Sequence, residues 1–223
     1  MYTRSLLTRF TSRHYSTFYS RHKPVRRSAP IQNYGAIFSR SSSETQSYLH
    51  DLCHSLQQHY QVFLIGPGLC PYTGDESDNF IHVEPDKDYF NYVKQFHGNS
   101  LNCNFDELTQ NNSVFNPQKK SAALFVNSFC CILRDSYDHK TPINFTPFDT
   151  LIVINSFGLL TSLTSYYKLN FPNQNPHSLF SSDIKTLATD QHFDLTRSRK
   201  LDSTPRVPTI TPHLSFEMIF SRS

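Results

Sequence analysis

The feature that most constrains the fold is a run of four aliphatic residues, Leu151, Ile152, Val153 and Ile154. A continuous apolar run without polar alternation is typical of a strand that is buried on both faces of a parallel or mixed sheet. We therefore predict a strand over residues 148–154. Because both faces of such a sheet must be covered, the run also predicts helices packed against it and an α/β fold.

Helical and strand patterns alternate along most of the chain, as an α/β fold requires. The predicted elements are a helix over 44–60, strands over 61–65 and 80–83, helices over 86–96, 117–137 and 159–167, a helix that opens at Asn175-Pro176 and a terminal strand over 214–220. The Asn-rich residues 101–116 are predicted to be irregular. Both Asn-Pro pairs, at 116–117 and 175–176, are typical of a helix N-cap followed by Pro at the first helical position.

These elements predict one domain of the α/β class, with a mixed or mainly parallel sheet flanked by helices, after an unstructured basic leader. We place the leader at residues 1–30, a Pro- and Ser-rich linker at 31–43 and the domain at 44–223. A chain of 223 residues suits a single domain of this kind once a leader is removed.

The leader has the composition of a mitochondrial presequence. It is rich in Arg, Ser and Thr and has no Asp or Glu, and a helix would place Leu6 and Phe10 one turn apart. The segment from Arg13 to Ser16 resembles a mitochondrial processing site. We therefore predict import into the mitochondrial matrix; the alternative is a disordered basic tail that binds nucleic acid or membrane.

The excess of positive over negative charge in this chain comes from its first 43 residues. Eight of the 21 Lys and Arg residues precede the first acid, Glu44, which leaves 21 − 8 = 13 basic residues against 18 acids in the rest. The segment from Glu44 onward therefore has a net charge of 13 − 18 = −5. An acidic body carries no strong signature of nucleic-acid binding.

The cysteines show no pattern of a disulfide framework or a metal site. Cys53, Cys70, Cys103, Cys130 and Cys131 form no CxxC pair and have no regular spacing, so we predict reduced thiols, no metal and no cofactor. The adjacent Cys130 and Cys131 could form a redox pair, but within an apolar run we interpret them as small hydrophobic residues. The polar residues within 150–167 also argue against a transmembrane segment.

The loop after the 148–154 strand is the predicted ligand site. Loops at the carboxyl ends of sheet strands line the crevice where α/β proteins bind ligands, and Asn155 and Ser156 could donate hydrogen bonds there. Backbone amides near Gly158 would add affinity for an anion. By contrast, Gly66-Pro67-Gly68 lacks the repeated glycines of a phosphate-binding loop, and we interpret it as an ordinary turn.

Two further groups of polar residues are weaker candidates. Asp135 and His139 are one helical turn apart, where they could make a polar contact near the ligand. The cluster of basic residues outside the leader is predicted to lie in a loop that contacts RNA or a partner, or is simply solvated; it comprises Arg197, Arg199, Lys200 and Arg206.

The leader, together with the absence of a dense catalytic constellation in the sequence, motivates the main functional hypothesis. We predict a non-catalytic protein of the matrix that acts as an accessory or assembly factor, through protein or ribonucleoprotein partners, in mitochondrial gene expression or respiratory-complex biogenesis. The alternative is a small α/β enzyme or ligand-binding domain that uses the crevice after the 148–154 strand. The sequence leaves open whether the chain is an enzyme.

Overall fold

A computed structural model describes residues 43–66, 79–95, 98–126, 128–156, 167–201 and 215–223. The predicted leader and nearly all of the linker lie outside these residues. The elements in chain order are α1 (Ser43–His59), β1 (Tyr60–Ile65), β2 (Phe80–Val83), α2 (Lys87–Val93), β3 (Ser100–Leu101), α3 (Phe105–Gln110), a 3-10 turn (Asn112–Val114), β4 (Lys120–Val126), α4 (Phe129–His139), β5 (Thr150–Ser156), α5 (Pro176–Thr189), β6 (Phe193–Leu201) and β7 (Ser215–Arg222).

The strands form one mixed sheet of seven, in the order β3-β2-β1-β4-β5-β7-β6. Strands β1 to β5 are parallel to one another, and β7 runs antiparallel to both of its neighbours, β5 and β6. The five parallel strands therefore all end at one edge of the sheet, which we call the carboxyl edge. The predicted fold class, a mixed or mainly parallel sheet flanked by helices, is confirmed.

Alternate residues of the central strands enter two separate cores, as the two-residue period of a strand requires. Val62 and Leu64 of β1 pack with Cys53 of α1 on one face. Phe63 and Ile65 pack on the other face, against a larger core that α3, α4 and α5 cover. The sheet is thus the middle layer of three, and the aliphatic run of β5 is buried on both sides.

Several predicted elements are confirmed closely. Strand β2 covers the predicted residues 80–83, and the Asn175 side chain caps α5 by accepting a hydrogen bond of 2.9 Å from the amide of His177. The terminal strand buries Phe216, Met218 and Phe220, the alternate positions that the pattern indicated. The predicted helix over 159–167 falls almost wholly outside the described residues. No described helix is both long enough and apolar enough to span a membrane.

The predicted helix over 117–137 is wrong, because this segment contains a strand and a shorter helix, β4 and α4. Asn116 does not cap a helix: its side chain accepts a hydrogen bond of 2.9 Å from the Gln118 amide, which makes a turn before β4. Residues 101–116 are not irregular either. They include α3, which a capping box between Asn104 and Glu107 begins.

Candidate ligand-binding site

The strand order places a topological switch point between β1 and β4. From β1 the chain continues outward to β2, whereas from β4 it continues in the opposite direction to β5. The connections thus leave the two neighbouring strands in opposite directions, and this is the place at the carboxyl edge where open α/β sheets form the crevice that binds ligands. The ends of β1, β2 and β4 therefore define the candidate site.

Gly66, directly after β1, has a backbone conformation that favours glycine. Its φ angle is +61°, in the left-handed region where a side chain is strained. Its amide donates a hydrogen bond of 2.8 Å to the carbonyl oxygen of Val83, the last residue of β2. The end of β1 is thus fixed to the end of β2 by a residue that has no side chain to block the crevice.

Ser128 approaches Gly66 from the other side of the switch point. A Cβ atom added at Gly66 would lie 3.0 Å from the Ser128 Cβ atom, closer than side-chain atoms normally approach. The Ser128 hydroxyl donates a hydrogen bond of 2.5 Å to the carbonyl oxygen of Ile65. Ser128 lies at the start of α4, but its side chain makes no hydrogen bond to the helix. Its hydroxyl instead ties the start of α4 to the end of β1.

Glu84 follows β2 and brings a carboxylate to this edge. Its residue is only 4% exposed, and one carboxylate oxygen accepts a hydrogen bond of 3.0 Å from the Asp86 amide. The backbone of Glu84 is held on both sides, because its amide donates to Leu101 and its carbonyl accepts from the Asn102 side chain at 2.8 Å. The Glu84 backbone is therefore fixed, and Glu84 directly follows Val83, whose carbonyl oxygen accepts the hydrogen bond from the Gly66 amide.

The spacing of Gly66 and Glu84 matches a known way of holding a nucleoside. In dinucleotide-binding sheets, a glycine after the first strand lets the backbone approach the ligand. An acidic residue about 20 positions further on, at the end of the next strand, accepts hydrogen bonds from ribose hydroxyls. The two residues present here fit a ligand that contains a ribose. The sequence contained this signal, although our interpretation of Gly66 as an ordinary turn missed it.

Of the predicted ligand residues, Asn155 and Ser156 lie at the same edge but not at the switch point. Asn155 is fully buried near the end of β5, one strand beyond β4, with Phe216 of β7 as its neighbour. Strands are about 4.8 Å apart, so the end of β5 is roughly 10 Å from that of β1. Ser156 is the last residue of β5, and Gly158 lies outside the described residues. A ligand role for these three residues stays a prediction.

Asp135 and His139 do not join Asn155. Both lie in the second half of α4, which starts at the carboxyl edge and runs back toward the opposite edge, with His139 in its last turn. They lie near Asp106 of α3: burial first, then the charges of Asp135 and Glu107, raise the pKa of Asp106, while His139 acts to lower it. The structure therefore places this pair in the contact between α3 and α4.

The predicted basic loop is wrong for three of its four residues. Arg197, Arg199 and Lys200 lie in β6, which is hydrogen-bonded to β7; Arg206 lies outside the described residues. The polar composition of β6 does not indicate a strand. β6 is the last strand of the sheet, and edge strands often carry charged residues. Whether any of these residues contacts a partner stays a prediction.

Two of these arginines surround a buried acid, Glu217 of β7, which has no exposed surface. Arg199 Nε lies 2.9 Å from the Glu217 carboxylate and Arg197 Nε lies 3.3 Å from it. The Tyr48 hydroxyl of α1 donates to the same carboxylate, and the Arg199 guanidinium lies over the Tyr48 ring at 4.3 Å. Burial, then the hydrogen bond to Glu217, raises the pKa of Tyr48 to about 12. This cluster joins α1 to the edge of the sheet.

Comparison with known proteins identifies the fold. No protein-family model and no curated protein matches the sequence. Among solved structures, the chain resembles magnesium protoporphyrin IX methyltransferase from Synechocystis with bound SAH, at 12% identity, with 81% of this chain and 82% of that chain covered and a TM-score of 0.50. A SAM-dependent methyltransferase from Anabaena variabilis matches at 10% identity, with 86% and 92% covered and a TM-score of 0.48. The fold is thus a Rossmann-like α/β fold of the methyltransferase type.

This finding contradicts the main functional prediction of a non-catalytic accessory factor. That prediction rested on the absence of a dense catalytic constellation, but a protein that uses an organic cofactor needs none, since the cofactor carries the reactive group and the protein binds and orients it. A fold of the methyltransferase type fits the alternative, a small α/β enzyme or ligand-binding domain, better than it fits the main prediction.

Proposed function

We propose that this protein binds S-adenosylmethionine at the ends of β1 and β2 and transfers its methyl group to an acceptor. The observation that carries the proposal is that Gly66, in its left-handed conformation, is hydrogen-bonded to the residue before the buried acid Glu84, at the neighbouring ends of β1 and β2. The likeness of the fold to a methyltransferase structure that holds SAH supports it.

The residues at the edge have distinct roles in this proposal. Glu84 accepts hydrogen bonds from the ribose hydroxyls, and the hydrogen bond from the Asp86 amide keeps its carboxylate in place. Gly66 lets the backbone lie against the cofactor, and Ser128 holds the end of β1 so that the crevice keeps its shape. The cofactor would supply a methyl group on a sulfonium: a nucleophilic atom of the acceptor would bond to the methyl carbon as its bond to sulfur breaks, leaving S-adenosylhomocysteine.

The acceptor would approach from the β4–β5 side of the crevice. Glu84 after β2 would hold the ribose, which leaves the β4 and β5 side of the switch point for the acceptor. Asn155 lies on that side, and the predicted ligand roles of Asn155, Ser156 and Gly158 become, in this proposal, contacts with the acceptor.

Transfer of a radiolabelled methyl group tests this function. The full-length protein is incubated with methyl-tritiated S-adenosylmethionine and a mitochondrial extract, and label is counted in the protein, RNA and small-molecule fractions. We expect label in one fraction, and its identity gives the acceptor class. Glu84→Gln should reduce the labelling, whereas Asp88→Asn, a change to an exposed acid of α2, should leave it intact. Equal labelling by wild type and Glu84→Gln would contradict the proposal.

We propose further that the protein works in the mitochondrial matrix. The support is the sequence of residues 1–30, with its arginines, its lack of acids and its apolar residues at helical spacing. The acidic body that remains after removal of the leader would then be the mature protein.

A further inference from the structure

Two adjacent cysteines lie in the first turn of α4, next to the residue that holds the candidate site together. Cys130 is buried in the core on one face of the sheet, whereas Cys131 is exposed. The amide of Cys131 donates a hydrogen bond of 3.0 Å to the carbonyl oxygen of Ser128, and the amide of Ile132 donates to the same oxygen at 3.4 Å. These two hydrogen bonds thus join Ser128 to the first turn of α4.

We propose that Cys130 and Cys131 form a redox-sensitive switch, in which oxidation to a vicinal disulfide distorts the first turn of α4, displaces Ser128 from Gly66 and weakens binding at the cofactor site. This inference rests on the proposed cofactor site. It concerns the regulation of that site by a peroxide.

The geometry of a disulfide makes this coupling obligatory. Side chains of neighbouring residues in an α-helix do not face each other, and Cys130 and Cys131 both lie in α4. Two cysteines whose Cβ atoms point apart cannot be bridged without backbone movement, so a disulfide between them requires the first turn of α4 to change its conformation. The backbone that must change carries the two amides that bind the Ser128 carbonyl oxygen.

A small displacement of Ser128 would suffice, because its contact with Gly66 is close. The Ser128 hydroxyl bonds to the Ile65 carbonyl, and its Cβ atom leaves no room for a Cβ atom on residue 66. When the hydroxyl moves away, the end of β1 loses this hydrogen bond, and the Gly66 turn loses its neighbour across the switch point.

The two thiols have different roles in the oxidation. The exposed Cys131 thiol loses its proton, and the thiolate attacks one oxygen of hydrogen peroxide, so that the O–O bond breaks and a sulfenic acid forms. The hydroxide that leaves takes up the proton from the thiol and becomes the first water. The Cys130 sulfur then attacks the sulfenic sulfur, the S–S bond forms, and the hydroxyl leaves with the Cys130 proton as the second water. Two thiols have lost two electrons to one peroxide. The hydrogen bond with Cys131, and then burial, raise the pKa of Cys130, which agrees with Cys131 reacting first.

The test uses the full-length protein with hydrogen peroxide, followed by dithiothreitol. Mass spectrometry of the peptide that contains both cysteines should show a loss of two hydrogens. Calorimetry with S-adenosylhomocysteine should show binding at least about tenfold weaker after oxidation, since a misplacement of about 1 Å can cost 100-fold. Dithiothreitol should restore binding. Hydrogen exchange at the amides of Cys131 and Ile132 should become faster in the oxidised protein, with or without the cofactor.

Two variants make the test specific. Cys131→Ser, at an exposed position, should bind the cofactor equally well before and after peroxide, whereas Cys103→Ser should respond as the wild type does. Three results would overturn the switch. Peroxide could still abolish binding in Cys131→Ser, or either cysteine could form its disulfide with Cys70 or Cys103 instead. The third result is a disulfide between Cys130 and Cys131 that leaves cofactor binding and hydrogen exchange unchanged. A reduced protein that binds no cofactor would instead overturn the proposed function, while the exchange measurement would still decide whether oxidation opens α4.

Discussion

Gly66 and Ser128 meet across the switch point so closely that a Cβ atom on residue 66 would lie 3.0 Å from the Ser128 Cβ atom. The two residues lie far apart in sequence, on the connections that leave β1 and β4 in opposite directions. Their contact joins the end of β1 to the start of α4 at the carboxyl edge. It also favours glycine at residue 66, because that residue has a positive φ angle and a new Cβ atom would press against Ser128.

We expect Gly66→Ala to destabilise the protein by at least about 2 kcal/mol, since a left-handed residue costs about 1 to 2 kcal/mol and overpacking adds about 1 to 3. Urea denaturation measures this change. The matched control is Gly98→Ala, where a new Cβ atom has nothing within 4 Å and the change should stay within about 0.5 kcal/mol. Equal stabilities of the two variants would mean that the Gly66 contact is looser than the structure shows.

Glu217→Gln should cost about 2 to 4 kcal/mol of unfolding free energy, because it leaves two guanidinium groups beside a buried position without their counter-charge. Arg197→Met should cost less than about 1 kcal/mol, since the Arg197 side chain is 49% exposed and solvent screens its charge. Thermal unfolding monitored by circular dichroism gives both values. A larger loss in Arg197→Met than in Glu217→Gln would show that the cluster is organised differently.

Asp183 of α5 gives a prediction about pH. The hydroxyls of Tyr137 and Tyr167 donate to its carboxylate at 2.7 and 2.5 Å, but burial outweighs these hydrogen bonds and raises the pKa of Asp183 above its usual 3.8. The folded state therefore holds the Asp183 proton more tightly than the unfolded state does. The stability that this proton contributes is complete below pH about 4 and is lost as the pH rises through the folded-state pKa.

The variant Asp183→Asn removes this titration and keeps an acceptor for the tyrosines. The difference in unfolding free energy, variant minus wild type, should therefore increase as the pH rises from about 4 to 7. Urea denaturation at several pH values measures it. A difference that falls with rising pH would mean that the hydrogen bonds from Tyr137 and Tyr167 outweigh burial.

Residues 1–30 give a prediction in the cell. Deletion of this segment from a chain tagged at its C-terminus should abolish its localisation to mitochondria, because the arginine-rich leader is the proposed import signal. Imaging of both tagged chains in one cell type gives the measurement. A deletion variant that still reaches mitochondria would remove the support for matrix localisation.

The fold was predictable where local signals agree with the tertiary environment. The aliphatic run of β5, the Asn175 cap and the alternation in β7 each reflect one face of a regular element. Strand β4 was not predictable, because its apolar residues are followed, after very few polar ones, by the apolar residues of α4. A short buried strand and a buried helix share that pattern. Asn116-Pro117 strengthened the wrong choice, since the same pair also forms a turn.

The candidate site was predictable only in part. Loop position alone put Asn155 at the correct edge of the sheet, but the switch point depends on strand order, which no local pattern contains. The importance of Gly66 depends on Ser128, and the importance of Glu84 depends on the pairing of β2 with β1. Absence of a catalytic motif was a poor guide, because the proposed cofactor binding rests on backbone geometry and one carboxylate.

Calorimetric titration of the reduced full-length protein with S-adenosylhomocysteine tests the central proposal most directly. We expect saturable binding at one site. Glu84→Gln should weaken it at least about tenfold, since a hydrogen bond to a charged group contributes about 1.5 to 3 kcal/mol, while Asp88→Asn should leave it unchanged. Absence of binding to a folded wild-type protein, or equal affinities of wild type and Glu84→Gln, would contradict a cofactor site at Gly66 and Glu84.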